Sequence, residues 1–238
     1  MLWYNVFSVL GCLVGSIVLV REFRRQQLPA RWAIGLAAVV FIVSRVGAHL
    51  AYSMEKGAWS ASWESYLSFS RGGLSLFGGL YLAIAAVLVF AGCIRVPWLQ
   101  LMDLLAPAAA FSFAVGRLGC LMAGCCRGFA LPVRATFPAW FPGNHCFPAP
   151  LLDSIVNLSI GMYLLRVQPS AAEMGRRAGL FLALYCLSRF LIEMVRSNQA
   201  IWVGLTMAQL LAVPGFFIGL WLVTRRSLIR LAIVACKK

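Results

Sequence analysis

Acidic residues are nearly missing from this chain: seven Asp and Glu stand against twenty-one Lys and Arg in 238 residues. Charged residues of both signs make up only 12%, about half the share usual in a soluble domain. So little charge excludes an ordinary solvated surface. No linker or low-complexity stretch interrupts the chain, so residues 1–238 read as a single integral-membrane domain. Histidine is equally scarce, with only His49 and His145, which leaves few imidazole ligands for a metal. No basic residue precedes the first apolar run, and Arg21, Arg24 and Arg25 follow it. That order argues against a cleaved signal peptide. No patch interleaves basic and aromatic residues on a polar surface. The net charge of +14 is therefore not a nucleic-acid signal; it fits basic loops held on the cytoplasmic side against anionic lipid.

What the chain has in abundance is apolar length, with 62% hydrophobic residues. Seven windows, near residues 3–20, 32–54, 72–94, 98–121, 149–166, 178–195 and 202–224, can each cross a hydrocarbon core of about 30 Å as a helix. In lipid the backbone has no other partners, so an all-α bundle of about seven transmembrane helices follows. Alternating the loops from an N-terminus outside puts thirteen basic residues inside, including Arg95, Arg166, Arg176, Arg177, Arg225 and Arg226. Five fall outside: Lys56, Arg71, Arg127, Arg134 and Arg196. The asymmetry obeys the positive-inside rule and predicts a cytoplasmic C-terminus.

Two longer segments, about 55–71 and 123–148, fall outside. The second carries Gly124, Gly128, Pro132, Pro138, Pro142 and Gly143 with Phe137, Trp140 and Phe141, a composition suited to the outer membrane interface. It also gathers Cys120, Cys125, Cys126 and Cys146 of the eight cysteines. Their spacing lacks a paired C-x-x-C arrangement, so zinc is not expected and no metal is assigned. A disulfide from Cys125 or Cys126 to Cys146, or free packing thiols, are the two alternatives.

Ionisable residues inside apolar windows cost about 2.5–3.5 kcal/mol each at a helix centre, so each needs a partner or a task. They are Arg45, His49, Asp103, Arg117, Asp153, Arg189 and Glu193. In RFLIEMVR, Arg189, Glu193 and Arg196 recur at i, i+4 and i+7 on one helical stripe. Two guanidiniums around one carboxylate leave positive charge that a phosphate would neutralise. Helix pinning by the same pairs is the structural alternative. For Asp153, near a helix end, that alternative is stronger. Gly72, Gly73, Gly78 and Gly79 in the third window, and Gly116 and Gly119 beside Arg117, suit close helix packing or backbone donors turned to an anion.

These residues resemble the bacterial prolipoprotein diacylglyceryl transferases. The likeness runs in order through Trp3-Tyr4 and Gly11, SRVGAHLAY with Arg45, and GGLSLFGGL (Gly72–Leu80). It continues with Asp103 and Pro107, Gly116-Arg117-Leu118-Gly119, FPAPLLD (Phe147–Asp153), RFLIEMVR and Gln209. The resemblance implies a multi-pass enzyme of the bacterial inner (plasma) membrane without metal or cofactor. It would move diacylglycerol from phosphatidylglycerol to the lipobox cysteine of a prolipoprotein, next to its signal peptide, releasing glycerol phosphate. It further implies catalytic roles for Arg189, Glu193 and Tyr4. Substrate binding would fall to Arg117, Arg196, Gly78, Gly79, Asp103 and Gly116.

The chain departs from the family pattern where a proton would be handled. Phe77 and Phe147 occupy positions usually held by histidines, Leu152-Asp153 replaces a common Tyr-Glu pair, and Cys120 stands where asparagine is frequent. A different acceptor for the same lipid donor, or a lipid-binding or transport protein without catalysis, are the alternatives these departures raise.

Overall fold

In the computed structural model the chain is a bundle of seven α-helices, described for residues 2–56, 76–126, 128–131, 145–168, 173–196 and 205–236. In order they are α1 (Leu2–Arg25), α2 (Ala30–Lys56), α3 (Leu76–Ile94), α4 (Trp98–Met122), α5 (Ala149–Arg166), α6 (Arg176–Val195) and α7 (Met207–Cys236). Each expected apolar window holds one helix. The window starts at 72 and 202, with Gly72 and Gly73, fall outside the described residues, as do Arg71, Arg127, Arg134 and the Pro/Gly-rich stretch 132–144. The described residues form no strand, only isolated bridges at Gly128–Arg196 and Ala130–Cys146.

Five helices are long and apolar enough to cross a membrane, and Gly78–Ile94 of α3 is a shorter apolar segment. α5 is diluted by Asp153, Ser154 and Asn157, all of which are buried inside the bundle. The outward faces are apolar, with Ile17, Val89, Phe217 and Trp221 exposed. In water these would be large hydrophobic patches; against lipid they are the expected surface. The chain is a polytopic membrane protein.

Helix pairs meet through residues without side-chain bulk, as expected where lipid supplies no hydrophobic drive for association. A Cβ added to Gly11 would meet the Ser112 carbonyl oxygen at 2.8 Å, and one at Gly119 would meet the Phe7 Cβ at 2.8 Å. α1 and α4 therefore run antiparallel in close contact. Gly47 and Gly78 likewise press against each other's carbonyls, and a Cβ at Gly79 would meet the Ser44 carbonyl oxygen at 2.9 Å. Gly78 and Gly79, expected at a substrate site, join α3 to α2.

At the end of the bundle holding the α1 C-terminus and the α6 N-terminus, polar groups fix the helices. Arg177 is 1% exposed, yet its guanidinium donates to Glu22 at 2.6 Å and to the Leu164 carbonyl oxygen at 2.9 Å. One buried pair thus ties α6 to α1 and α5. Beside it the Asp103 carboxylate accepts from the backbone N–H groups of Gly175 (2.6 Å) and Ala178 (2.8 Å). Those donors open α6 and have no partner within the helix, so a carboxylate there satisfies them and complements the helix dipole. α7 starts with its own device. The Gln209 side chain accepts from the Thr206 N–H at 3.0 Å, and the Gln209 N–H donates to Thr206 Oγ1 at 3.4 Å, a reciprocal capping box.

Removing one partner of a fully buried pair strands the other charge, at about 3–5 kcal/mol. Glu22→Ala is therefore expected to lower the thermal unfolding midpoint in detergent sharply. The double change Glu22→Ala/Arg177→Met should recover much of the loss. A double variant no more stable than the single one would contradict this assignment.

Candidate active site

The opposite end of the bundle, where α4 and α6 finish and α5 begins, holds the larger ionic cluster. Its centre is Asp153 on the first turns of α5. Its Oδ2 accepts from Arg117 Nε of α4 at 2.8 Å and from Arg189 Nη1 of α6 at 3.0 Å. One turn along α5, Asn157 Nδ2 donates to Asp153 Oδ1 at 2.7 Å. Arg189 also reaches Glu193 at 3.3 Å, and Glu193 accepts from Arg196 at 3.1 Å. The spacing in RFLIEMVR thus forms the predicted stripe, and Asp153 joins that stripe to Arg117.

Three guanidiniums and two carboxylates leave one positive charge in excess. The carboxylates are the buried members, at 3% and 2% side-chain exposure for Asp153 and Glu193, while Arg117 keeps 22%. Arg196 Nε is buried and has no hydrogen-bond partner among the described residues. Buried donors are nearly always satisfied, so this N–H and the excess charge together suit an incoming anion.

Backbone contacts hold the three helix ends together. The Gly128 N–H donates to the Phe147 carbonyl at 2.9 Å, the Phe129 N–H to the Val195 carbonyl at 3.0 Å, and the Phe147 N–H to the Phe129 carbonyl at 2.9 Å. A Cβ at Gly128 would lie 2.9 Å from both the Phe147 Cβ and the Val195 carbonyl oxygen, so no larger residue fits this crossing. Phe147, where a histidine was expected, stacks on Phe129 with ring centroids 5.5 Å apart. It therefore packs the loop. The Phe77 side chain lies outside the described ones.

The predicted site residues separate into three groups. Arg117, Arg189, Glu193 and Arg196 come together. Tyr4 lies close by: it is half-buried, the charges of Arg45 and Arg117 act on its phenol, and its carbonyl oxygen would sit 3.3 Å from a Cβ on Gly119. Gly116 has open space where a Cβ would stand, and its backbone nitrogen faces Gly11. Asp103 does not join the cluster. It is fourteen positions before Arg117 on α4, about 21 Å along the axis, and caps α6 at the far end. Asp153 is the residue the predicted site set left out. Its signal was present, an acid inside an apolar window, but nearness to a helix end disguised it.

His49 is buried, and its Nε2 has no partner among the described residues; His145 is exposed. Cys125, Cys126 and Cys146 are free thiols, so no disulfide joins them here. Cys126 turns toward Cys120 instead. The hydrogen bond from Cys120 pulls the Cys126 thiol down to about 5 against the opposing effect of burial, and Arg196 and Arg117 add to the pull.

An all-helical bundle with apolar outward faces and an ionic network of net positive charge at one end places the chain in the class of polytopic membrane proteins. Within that class the comparisons are specific. The profile of the prolipoprotein diacylglyceryl transferase family matches residues 1–225. The chain belongs to this family and is an enzyme of it. It is similar to the phosphatidylglycerol–prolipoprotein diacylglyceryl transferase of Polynucleobacter asymbioticus, at 33% identity over 94% of this chain and 91% of that one. It is similar to the enzymes of the same name from Clostridioides difficile, at 24% identity over 92% and 88%, and from Clostridium tetani, at 26% identity over 82% and 80%.

Asp153→Ala would leave Arg117 and Arg189 without their shared acceptor. A loss of about 3–5 kcal/mol in stability is expected, read as a lowered unfolding midpoint, and unchanged stability would refute the central role of Asp153. Separately, Cys126 should be alkylated by iodoacetamide at about pH 6, below the ~8.5 of an ordinary thiol, while exposed Cys93 stays largely unmodified. Equal rates would show that Cys126 is not held as a thiolate.

Proposed function

We propose that this enzyme transfers the diacylglyceryl group of phosphatidylglycerol to the lipobox cysteine of a prolipoprotein, in a bacterial inner membrane. The protein would cross that membrane seven times, with its N-terminus outside and its C-terminus in the cytoplasm. The carrying observation is the Arg117–Asp153–Arg189–Glu193–Arg196 network, with one positive charge in excess and an open, buried N–H on Arg196.

In this reaction the acceptor thiolate attacks the glyceryl carbon. A C–S bond forms, the C–O bond to phosphate breaks, and the electron pair leaves with glycerol phosphate. The phosphodiester monoanion leaves as a monoester dianion, so donors fixed where that extra charge accumulates lower the barrier. Arginine does this without exchanging a proton. Arg117 and Arg196 would take the phosphodiester, a role that the partly exposed Arg117 side chain and the Arg196 Nε, unpartnered among the described residues, support. Arg189 and Glu193 hold the stripe in position, Asp153 fixes the Arg117 and Arg189 planes, and Tyr4 borders the approach from α1.

Phe147 cannot accept a proton, and Glu193 is committed to two guanidiniums. An acceptor that arrives already deprotonated, or whose thiol is acidified by the surplus cation, fits such a site. The loss of both family histidines, at Phe77 and Phe147, is what favours a different acceptor with the same donor.

Full-length protein in vesicles containing labelled phosphatidylglycerol and a lipobox peptide separates these readings. Arg117→Ala and Arg189→Ala are expected to reduce transfer by about 10²–10³ or more while the chain remains inserted. Arg117→Lys should recover little, because one ammonium cannot replace the planar fork. Full transfer by both alanine variants would sink the assignment. Glycerol phosphate release without labelled peptide would point to the other acceptor.

A further inference from the structure

Where α4 ends, three cysteines converge that the ionic network does not use. The Sγ atoms of Cys120, Cys125 and Cys126 all lie within 4.8 Å of one another. The chain reaches this arrangement by folding back on itself. Gly124 (φ 65°) and Cys126 (φ 58°) both adopt the left-handed conformation. The Cys125 N–H and thiol both point to the Cys120 carbonyl oxygen, at 3.1 and 3.4 Å. For glycine that conformation is free; for a residue with a Cβ it costs about 1–3 kcal/mol and persists where the surroundings enforce it. The Gly128 and Phe129 backbone bonds to Phe147 and Val195 supply that enforcement two residues on. The strained residue is one that delivers a thiol.

We propose that Cys120, Cys125 and Cys126 bind one thiophilic metal cation, with cuprous copper as the ion that fits best. Thiolate sulfur selects copper(I) and zinc among first-row metals. At a metal–sulfur distance of about 2.3 Å, three sulfurs on one ion sit about 3.8–4.0 Å apart. The trio therefore needs to contract by no more than about 1 Å. Three sulfurs with no fourth donor among the described residues suit three-coordinate copper(I) better than zinc, which takes four ligands.

Access and charge agree with such a site. Cys120 is buried, Cys126 half-buried and Cys125 exposed, which gives an ion a way in and a closed inner ligand. On binding, each thiol that still carries its proton releases it to solvent as three metal–sulfur bonds form. Three thiolates and one monovalent cation carry a net charge of −2. The guanidiniums of Arg117 and Arg196, whose charges already act on Cys126, oppose it, and having no free lone pair they cannot compete as ligands. The spacing C-x4-C-C hides this from a search for paired C-x-x-C motifs, because only the two left-handed residues turn the last two thiols back onto the first.

The test uses the reduced full-length protein in nanodiscs, given buffered cuprous ion in one sample and zinc in another. The expected result is one copper(I) per chain with three sulfur neighbours by X-ray absorption. In the same sample Cys120, Cys125 and Cys126 should be protected from alkylation while exposed Cys93 reacts. Cys120→Ser and Cys126→Ser should each weaken binding beyond the about 10–100-fold typical of an outer-shell partner, and Cys146→Ser should not. If the serine variants fail to fold, protection in the unaltered chain decides. No retained copper, equal protection of Cys93, or a disulfide within the trio in native membranes would overturn the proposal. Preference for zinc with a fourth ligand would overturn the cuprous assignment.

Discussion

A single carboxylate, Asp153, holds together one end of this bundle. It accepts from Arg117 on one neighbouring helix and Arg189 on another, while Asn157 braces it from its own helix. In a medium of low dielectric an inward guanidinium needs a paired acceptor, and Asp153 serves both arginines, with Glu193 a second acceptor for Arg189. Two guanidiniums sharing one acceptor are also drawn toward each other, against their own repulsion. That repulsion becomes useful when an anion arrives, because a second negative group relieves it. The same contact that stabilises the fold therefore leaves it electrostatically unfinished.

The surrounding elements exist to keep that geometry. Helices α4, α5 and α6 are laced at their ends by main-chain bonds through residues 128–131 and 145–147, and Gly128 is required where three segments cross. α1 lies so close to α4, through Gly11 and Gly119, that Tyr4 is carried to the edge of the cluster. α2 and α3 pack on each other through Gly47, Gly78 and Gly79.

How much could be read from the residue order divides along physical lines. The helices were legible because a bilayer permits only closed backbone hydrogen bonding, and apolar length is counted directly. Arg189, Glu193 and Arg196 were legible because helical periodicity alone brings them within reach. Asp153 was not, since its partners lie thirty-six positions away in each direction, and no local pattern encodes that distance. Asp103 misled for the same reason: an acid in an apolar window signals a buried task, but here the task is to cap α6. The glycines at 78 and 79 match the family pattern and serve packing. The cysteine trio was hidden by backbone conformation, which depends on two dihedral angles that composition does not display.

The carboxylate that caps α6 at one end and the carboxylate that grips it at the other have a joint mechanical effect. Sliding α6 lengthwise by one turn, about 5.4 Å, would pull Gly175 and Ala178 off Asp103 and Arg189 off Asp153 at once. The helix is bolted at top and bottom against axial travel. Any rearrangement that keeps both bolts must carry α6 along with α4 and α5, so that other helices part from these three.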